Sequence, residues 1–520
     1  MGLMGRRAGA TLAVIAVAVG AAAVGVWRLN MDKEPVRRAI TMADVMPAPA
    51  LATPAPGVTY AVPAGAVIAT PEGDAQAQWV GGYLAELFGN GAVAKPGADG
   101  PIRLTLVKDG PDEGYRLEVS ADGIALSART PAGLFYGVQT LRQLIPVGGA
   151  LVVPGGEIVD EPRFAYRGVM LDVARHFFDV AEVKRYLDLS TMYKVNHLHL
   201  HLSDDQGWRI AINGWPRLTE YGGGTEVGDG PGGFYTQDEY REIVAYAAQR
   251  FVTVIPEIDL PGHTNAALAS YPELTCDGVA PDRYTGIEVG FSALCPTKDI
   301  TFRFLDDVFG QLAELTPGPY LHIGGDEAKT MSPDEYAAVV TRVQEMVVAR
   351  GKVPMGWHEL AGAKLNPSTV LQYWATTKDS PEVVEAAAAG NKVVLSPANR
   401  AYLDMKYDSD TRIGLSWAGS ITVQEAAEWD PGRYLPGVDE AAVFGVESPL
   451  WTETVATVDD IEYLAFPRLA VLAELGWSPP SARVWTAVRE RLGAQAPRWE
   501  QLGVDFFRSD EVPWVAGPEA

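Results

Sequence analysis

The sequence predicts an α/β protein: a closed (β/α)8 TIM barrel preceded by a smaller α/β domain. Three observations carry that expectation. From Arg167 onward, eight short apolar runs alternate with segments of helical period, the pattern of parallel strands joined by helical crossovers. Eight such units are the number that closes a barrel. The runs are also followed closely by carboxylates and tryptophans, at the strand ends where barrels assemble their sites. An open doubly wound sheet is the alternative, but no Gly-x-Gly-x-x-Gly follows the first run.

Taken in order, the chain begins with Arg6 and Arg7, then an uncharged stretch from Ala8 to Trp27, then Arg28, Lys33, Arg37 and Arg38. A basic start before an Ala/Val/Gly-rich run predicts an export signal over residues 1–30. It is either cleaved, for which Ala21-Ala22-Ala23 offers small residues, or kept as a membrane anchor. Both readings place the body outside the cytoplasm, in the medium or at the cell surface. Residues 31–59 include the Ala/Pro-rich stretch Met46–Gly57 and predict an extended linker.

Residues 60–162 form the first domain. Ile102–Val107 and Tyr115–Val119 alternate as strands do, and Gln78–Phe88 and Thr130–Leu144 have helical apolar faces. No histidine falls here, so a structural role is expected. The barrel is expected over 163–500, with a tail over 501–520. Its runs are Gly168–Ala174, His197–Leu202, Val252–Ile258, Tyr320–Gly324, Val353–Trp357, Thr369–Trp374, Lys392–Ser396 and Ala442–Val446. Helical patterns include Val180–Tyr193, Asp238–Gln249, Asp299–Leu315, Pro333–Arg350 and Asp459–Leu475.

A net charge of −24 argues against a nucleic-acid partner. The two cysteines, Cys276 and Cys295, are too few for a disulfide scaffold and wrongly spaced for a metal knuckle. In an oxidising compartment they are expected to pair; two buried thiols are the alternative.

The strand ends carry the chemistry. After Tyr320–Gly324 come Gly325, Asp326 and Glu327, a pairing that by itself also suits a helix start. On a strand, adjacent side chains point to opposite faces, so the two carboxylates are expected to approach a substrate from different directions. Other ends bring Arg175, Asp204, His263, Trp357, Trp374, Tyr402, Asp404, Trp451 and Glu453. Acids beside aromatic platforms suit a sugar: rings stack on its C–H face and carboxylates hold its hydroxyls. His197, His199 and His201 share one strand face. A metal reading of them needs a further ligand, for which His263 is the candidate; interior structural histidines are the other account.

In these residues the chain resembles glycoside hydrolase family 20, the β-N-acetylhexosaminidases. The resemblance spans roughly 60–500 and rests on His322-Ile323-Gly324-Gly325-Asp326-Glu327, Leu171–Phe177, His199–Trp208, Glu257–His263, Tyr402-Leu403-Asp404 and Leu450–Glu453. It implies exo-acting, retaining removal of terminal β-linked N-acetylglucosamine or N-acetylgalactosamine from a glycan, with the substrate's 2-acetamido group as nucleophile and no cofactor or metal. Glu327 would be the acid and then the base, and Asp326 would stabilise the oxazolinium intermediate. Tyr402 would hold the acetamido carbonyl, and Trp357, Trp374 and Trp451 would wall the pocket. Arg175, Asp404 and Glu453 would bind outer hydroxyls. Asp204 and His263 would form a pair behind Glu327 that raises its pKa toward working pH. A metal-dependent amidohydrolase on the same barrel is the competing reading.

Overall fold

The structure is a computed structural model that describes residues 40–516. The expected export segment lies outside the described residues. Among the described residues, no helix is long and apolar enough to cross a membrane.

The expected linker is the first departure. Leu51–Ala61 is a strand, β1, pairing antiparallel with Val152–Asp160 (β7) and slipping register between Pro54 and Thr59. Just before it, Met46 is fully buried and donates its N–H to Gln143 Oε1 at 2.8 Å. Prolines cannot donate to a ladder, so they survive in a strand at an edge or an irregularity. The stretch has both. With β2 (Val67–Thr70), β3 (Val93–Pro96), β4 (Ile102–Leu106), β5 (Tyr115–Ser120) and β6 (Gly123–Ala128), β1 and β7 form a mixed sheet ordered β1-β7-β5-β6-β4-β2-β3. Ile102 and Leu104, and Tyr115, Leu117 and Val119, point into the core at the period of two their pattern requires. The helices Ala75–Phe88 and Pro131–Leu144, capped by Asp74 and Thr130, supply the other side of that core.

Asp160, at the end of β7, ties this domain to the barrel. It accepts hydrogen bonds from Lys194 Nζ at 3.0 Å and the Trp477 indole at 3.0 Å, and from Tyr115 at 2.6 Å within its own domain. Lys194 and Asp160 are both sealed from water, and removing either would strand the other's charge.

The barrel strands are β8 (Tyr166–Asp172), β9 (His197–His201), β10 (Thr253–Glu257), β11 (Tyr320–His322), β12 (Val353–Trp357), β13 (Val370–Tyr373), β14 (Lys392–Leu395) and β15 (Val443–Leu450). They are parallel and closed, with β15 pairing with β8. Each expected run is a strand. The expected helix Asp459–Leu475 is two, Val458–Ala465 and Arg468–Trp477, separated at Pro467, which cannot donate within a helix. The expected tail is packed down where described: Val504, Phe506 and Val512 are buried in the barrel's core.

His197, His199 and His201 point inward, as their alternation requires. His197 stacks on Tyr166 with centroids 4.1 Å apart. Glu257, fully buried, receives Trp357 Nε1 at 2.9 Å and lies 2.5 Å from His201 Nδ1, 3.0 Å from His322 Nδ1 and 3.0 Å from His199 Nε2. Glu447 receives Tyr166 and Gln372 and lies 3.0 Å from His199 Nδ1. Apart from His197, whose Nδ1 lies 2.6 Å from Asn196 Oδ1, the imidazoles and carboxylates of the interior are one another's partners.

Candidate active site

Strand β11 stops at His322, and the chain then turns. Gly324 and Gly325 have φ of 61° and 110°, and Glu327 comes next but one at 49°. A Cβ on Gly324 would lie 1.8 Å from Asp259 Oδ1, and one on Gly325 would lie 2.7 Å from Leu360 Cδ2. Both positions therefore need glycine twice over, for conformation and for space. Asp326 and Glu327 are thus not alternating strand residues, contrary to the expectation from strand geometry. The turn brings both carboxylates to one cavity, where His263 Nε2 lies 3.5 Å from Asp326 Oδ2 and 3.7 Å from Glu327 Oε2. His263 is itself left-handed at φ 53°. Such backbones cost on the order of 1–3 kcal/mol each and persist where the surroundings impose them.

The cavity, of about 210 Å³, opens at the C-terminal ends of the strands. Arg175, Asp404 and Glu453 line it, the first two almost fully buried. Arg175 is fixed by Asp204 Oδ2 at 2.8 Å and Asp172 Oδ2 at 3.5 Å, and its guanidinium lies 4.8 Å from the Trp451 ring centroid. Asp172 also caps the backbone of Ala174 and Thr452, which makes it a brace for the loops after β8 and β15. Asp205 is a brace too, holding Ser292 at 2.5 Å and the Asn265 N–H at 2.9 Å. Trp208 is buried, with its indole donating to Ile210 O at 2.7 Å, and belongs to the core.

Trp374, Tyr402 and Trp451 wall the cavity. Trp357 does not line it. Its ring is 1% exposed and packs 5.7 Å behind that of Trp451, held there by Glu257. Several atoms around the cavity are buried without a hydrogen-bond partner in the protein: Arg175 Nε, Asp326 Oδ1, Asp404 Oδ2 and Glu453 Oε2. Buried polar groups are almost always satisfied, so this convergence describes a surface made for hydroxyls and amides.

Asp204 and His263 do pair, Oδ1 to Nδ1 at 3.1 Å. Burial opposes both charges, yet Arg175 and His263 hold Asp204 well below the carboxylate range, and Asp204 and Asp326 hold His263 well above 6.5. The effect on Glu327 runs opposite to expectation. The interaction with His263, 3.7 Å from its Oε2, outweighs burial, Lys329 Nζ at 2.9 Å adds to it, and the carboxyl is lowered to about 2. Burial and then Glu453 hold Asp404 well above its ordinary value, and burial raises Glu453.

Some site residues had no sequence signal. Ile287 and Val289 come from the loop between Cys276 and Cys295, and Leu415 and Trp417 from the loop after β14. Trp417, 56% exposed, stands 6.0 Å from Trp374 and 6.1 Å from Tyr402. Glu359 accepts the Trp374 indole N–H at 3.1 Å; burial and the charge of Asp326 raise it to about 8. Its place directly after Trp357-His358 was the one available hint. The Sγ atoms of Cys276 and Cys295 lie 2.09 Å apart.

The sequence matches the family model for the glycosyl hydrolase family 20 catalytic domain over residues 164–339 and 332–480, and that for the family's domain 2 over 42–161. A beta-N-acetylhexosaminidase of Cellulomonas fimi is 46% identical over 80% of this chain and 85% of its own length. The solved GH20 beta-N-acetylhexosaminidase from Streptomyces coelicolor A3(2) superposes with a TM-score of 0.89 at 52% identity, covering 92% of this chain and all of that one. A variant of the Streptomyces plicatus beta-hexosaminidase, solved in complex with product (GlcNAc), gives 0.90 at 53% identity, covering 93% and 100%.

Proposed function

The chain belongs to glycoside hydrolase family 20, and from that premise we propose how its site divides the work. It is a β-N-acetylhexosaminidase, removing terminal non-reducing β-linked N-acetylhexosamine with retention through the substrate's own acetamido group. The sugar enters the cavity with its outer hydroxyls on Arg175, Asp404 and Glu453, whose unpartnered atoms need such groups. Trp374 and Trp451 flank the ring, Trp357 backs Trp451, and Tyr402 donates to the acetamido carbonyl. As the C1–O bond breaks, Glu327 gives its proton to the leaving oxygen and the acetamido oxygen bonds to C1. Asp326 accepts the acetamido N–H and balances the oxazolinium charge. Glu327, now a carboxylate, takes a proton from the water that attacks C1, which reopens the ring and returns the acid.

His263 lies 3.7 Å from Glu327, and Asp204 and Asp326 favour its charged form, which in turn favours the ionised form of Glu327. A sugar that expels water from the cavity weakens the stabilisation of ionised Glu327 and favours the neutral acid. The observation that carries this reading is the turn at Gly324-Gly325, which aims both carboxylates into one aromatic-walled pocket. Chromogenic N-acetylglucosaminide and N-acetylgalactosaminide should be cleaved, and the matching glucoside should be inert. A thiazoline mimic of the intermediate should bind far tighter than the product sugar. Comparable cleavage of the glucoside would overturn the pocket assignment, and loss of activity in EDTA restored by zinc would favour the amidohydrolase reading.

The export reading of residues 1–30 belongs to the same proposal: the enzyme works outside the cytoplasm, whether released or anchored. Cys276 and Cys295 then form a disulfide closing the loop that carries Ile287 and Val289. Labelling of both thiols in native, unreduced protein would refute it.

A further inference from the structure

We propose that Lys329 reads a negative charge on the leaving group, making the enzyme selective for N-acetylhexosaminides whose aglycone carries a carboxylate beside the scissile bond. The inference rests on Glu327 being the acid, and it follows from where Lys329 stands. Its Nζ is 2.9 Å from Glu327 Oε1, and its side chain is 60% exposed while that of Glu327 is 23% exposed. An acid must touch the glycosidic oxygen, so a cation on its solvent side lies where the aglycone passes. The site's other permanent cation, Arg175, is 3% exposed and already bound by Asp172 and Asp204.

Lys329 is placed rather than loose. Its backbone N–H returns to Glu327 O at 2.6 Å. Its chain runs over Gly290, where an added Cβ would lie 2.7 Å from Lys329 Cδ and 3.2 Å from Nζ. Gly290, with φ +79°, belongs to the same loop as Ile287 and Val289, which line the cavity. Among the described residues, the only ion pair of Lys329 is with Glu327. A pair this exposed is weak and exchangeable.

The exchange has a chemical consequence. An ammonium beside Glu327 stabilises its carboxylate, which opposes proton donation; Lys329 is among the causes that lower this group. A carboxylate on the aglycone draws Lys329 away and sets a negative charge near Glu327, and both changes raise its proton affinity. A neutral aglycone leaves the pair intact. The chain as a whole carries −24, so an anionic substrate meets general repulsion and its recognition has to be local.

An isosteric pair tests this: 3-carboxyphenyl and 3-carbamoylphenyl N-acetyl-β-D-glucosaminide, assayed on the wild type, Lys329→Met and Lys329→Arg. The ratio of kcat/KM, acid over amide, should fall about 10-fold in Lys329→Met, the size of one charge-assisted contact, and be largely kept in Lys329→Arg. Added salt should shrink the wild-type ratio toward that of Lys329→Met. If Lys329→Met cleaves both substrates with the wild-type ratio, the inference is wrong while the acid assignment stands. If the wild-type enzyme cleaves neither, the assignment of the site falls and the inference with it.

Discussion

Two groups of acids in this barrel are built from the same residue types and end in opposite states. Glu257 and Glu447, inside the barrel, have a partner for every carboxylate oxygen, drawn from His199, His201, His322, Trp357, Tyr166 and Gln372. Asp326, Asp404 and Glu453, at the strand ends, each keep one buried oxygen with no partner. The interior acids are compensated by the protein itself and serve as frame. The strand-end acids are left for something else to satisfy. Among these five carboxylates, partner accounting rather than residue type or burial separates frame from site.

The largest effect should come from the strand-end pair. Glu327→Gln should cost about 10²–10⁴ in rate on natural glycosides and much less on nitrophenyl substrates, whose leaving group needs little protonation. Asp326→Asn should cost on the order of 10²–10³ whatever the leaving group, because it withdraws charge from the intermediate. Single-turnover rates on aryl glycosides of graded leaving-group pKa check both. A steeper dependence for Asp326→Asn would mean the two roles are exchanged. Neither variant should unfold more readily than the wild type, and a loss of stability in both would erase the contrast with the interior.

Glu257→Ala should do the reverse. It strands buried imidazoles and the Trp357 indole, and breaking buried pairs of this kind costs roughly 3–5 kcal/mol. Urea unfolding should move accordingly; an unchanged midpoint would show that the interior network is not holding the barrel.

The same network should set an alkaline limit. Although burial disfavours their charge, Glu447 and Glu257 raise His199 to about 9, and Glu257 with Asp204 raises His201 to about 10. Their ordinary value is near 6.5. Stability from these groups is fully present below about 6.5 and is lost as the pH rises through about 9–10. Thermal melts between pH 6 and 10.5 should show Tm falling across that window. A flat Tm would mean the imidazoles are neutral throughout.

The smallest effect should be at Trp417. Replacing this exposed ring by alanine should raise KM for an N-acetylglucosamine disaccharide roughly 2- to 10-fold, the worth of one stacking contact. It should leave Tm unchanged, as surface substitutions generally do. A changed Tm with an unchanged KM would return Trp417 to the frame.

The sequence by itself determined the barrel, because strand alternation and helical period are local properties that eight units repeat. It also named Arg175, Asp204, His263, Asp326, Glu327, Trp374, Tyr402, Asp404, Trp451 and Glu453, since a barrel delivers strand-end residues to one rim and the structure brings these together there. Tertiary structure decided the rest. Pro54 and Pro56 read as linker because only the neighbouring strand β7 shows that their segment is a sheet edge. Trp357 sits behind Trp451 because Glu257, a hundred residues earlier in the chain, holds its indole. The direction of the Glu327 shift was invisible because it depends on His263, from the loop after β10, and on how the turn beyond Gly325 folds Lys329 back. A pattern along the chain fixes which element a residue belongs to; a proton affinity is set by charges a few ångströms away, and only the fold chooses those neighbours.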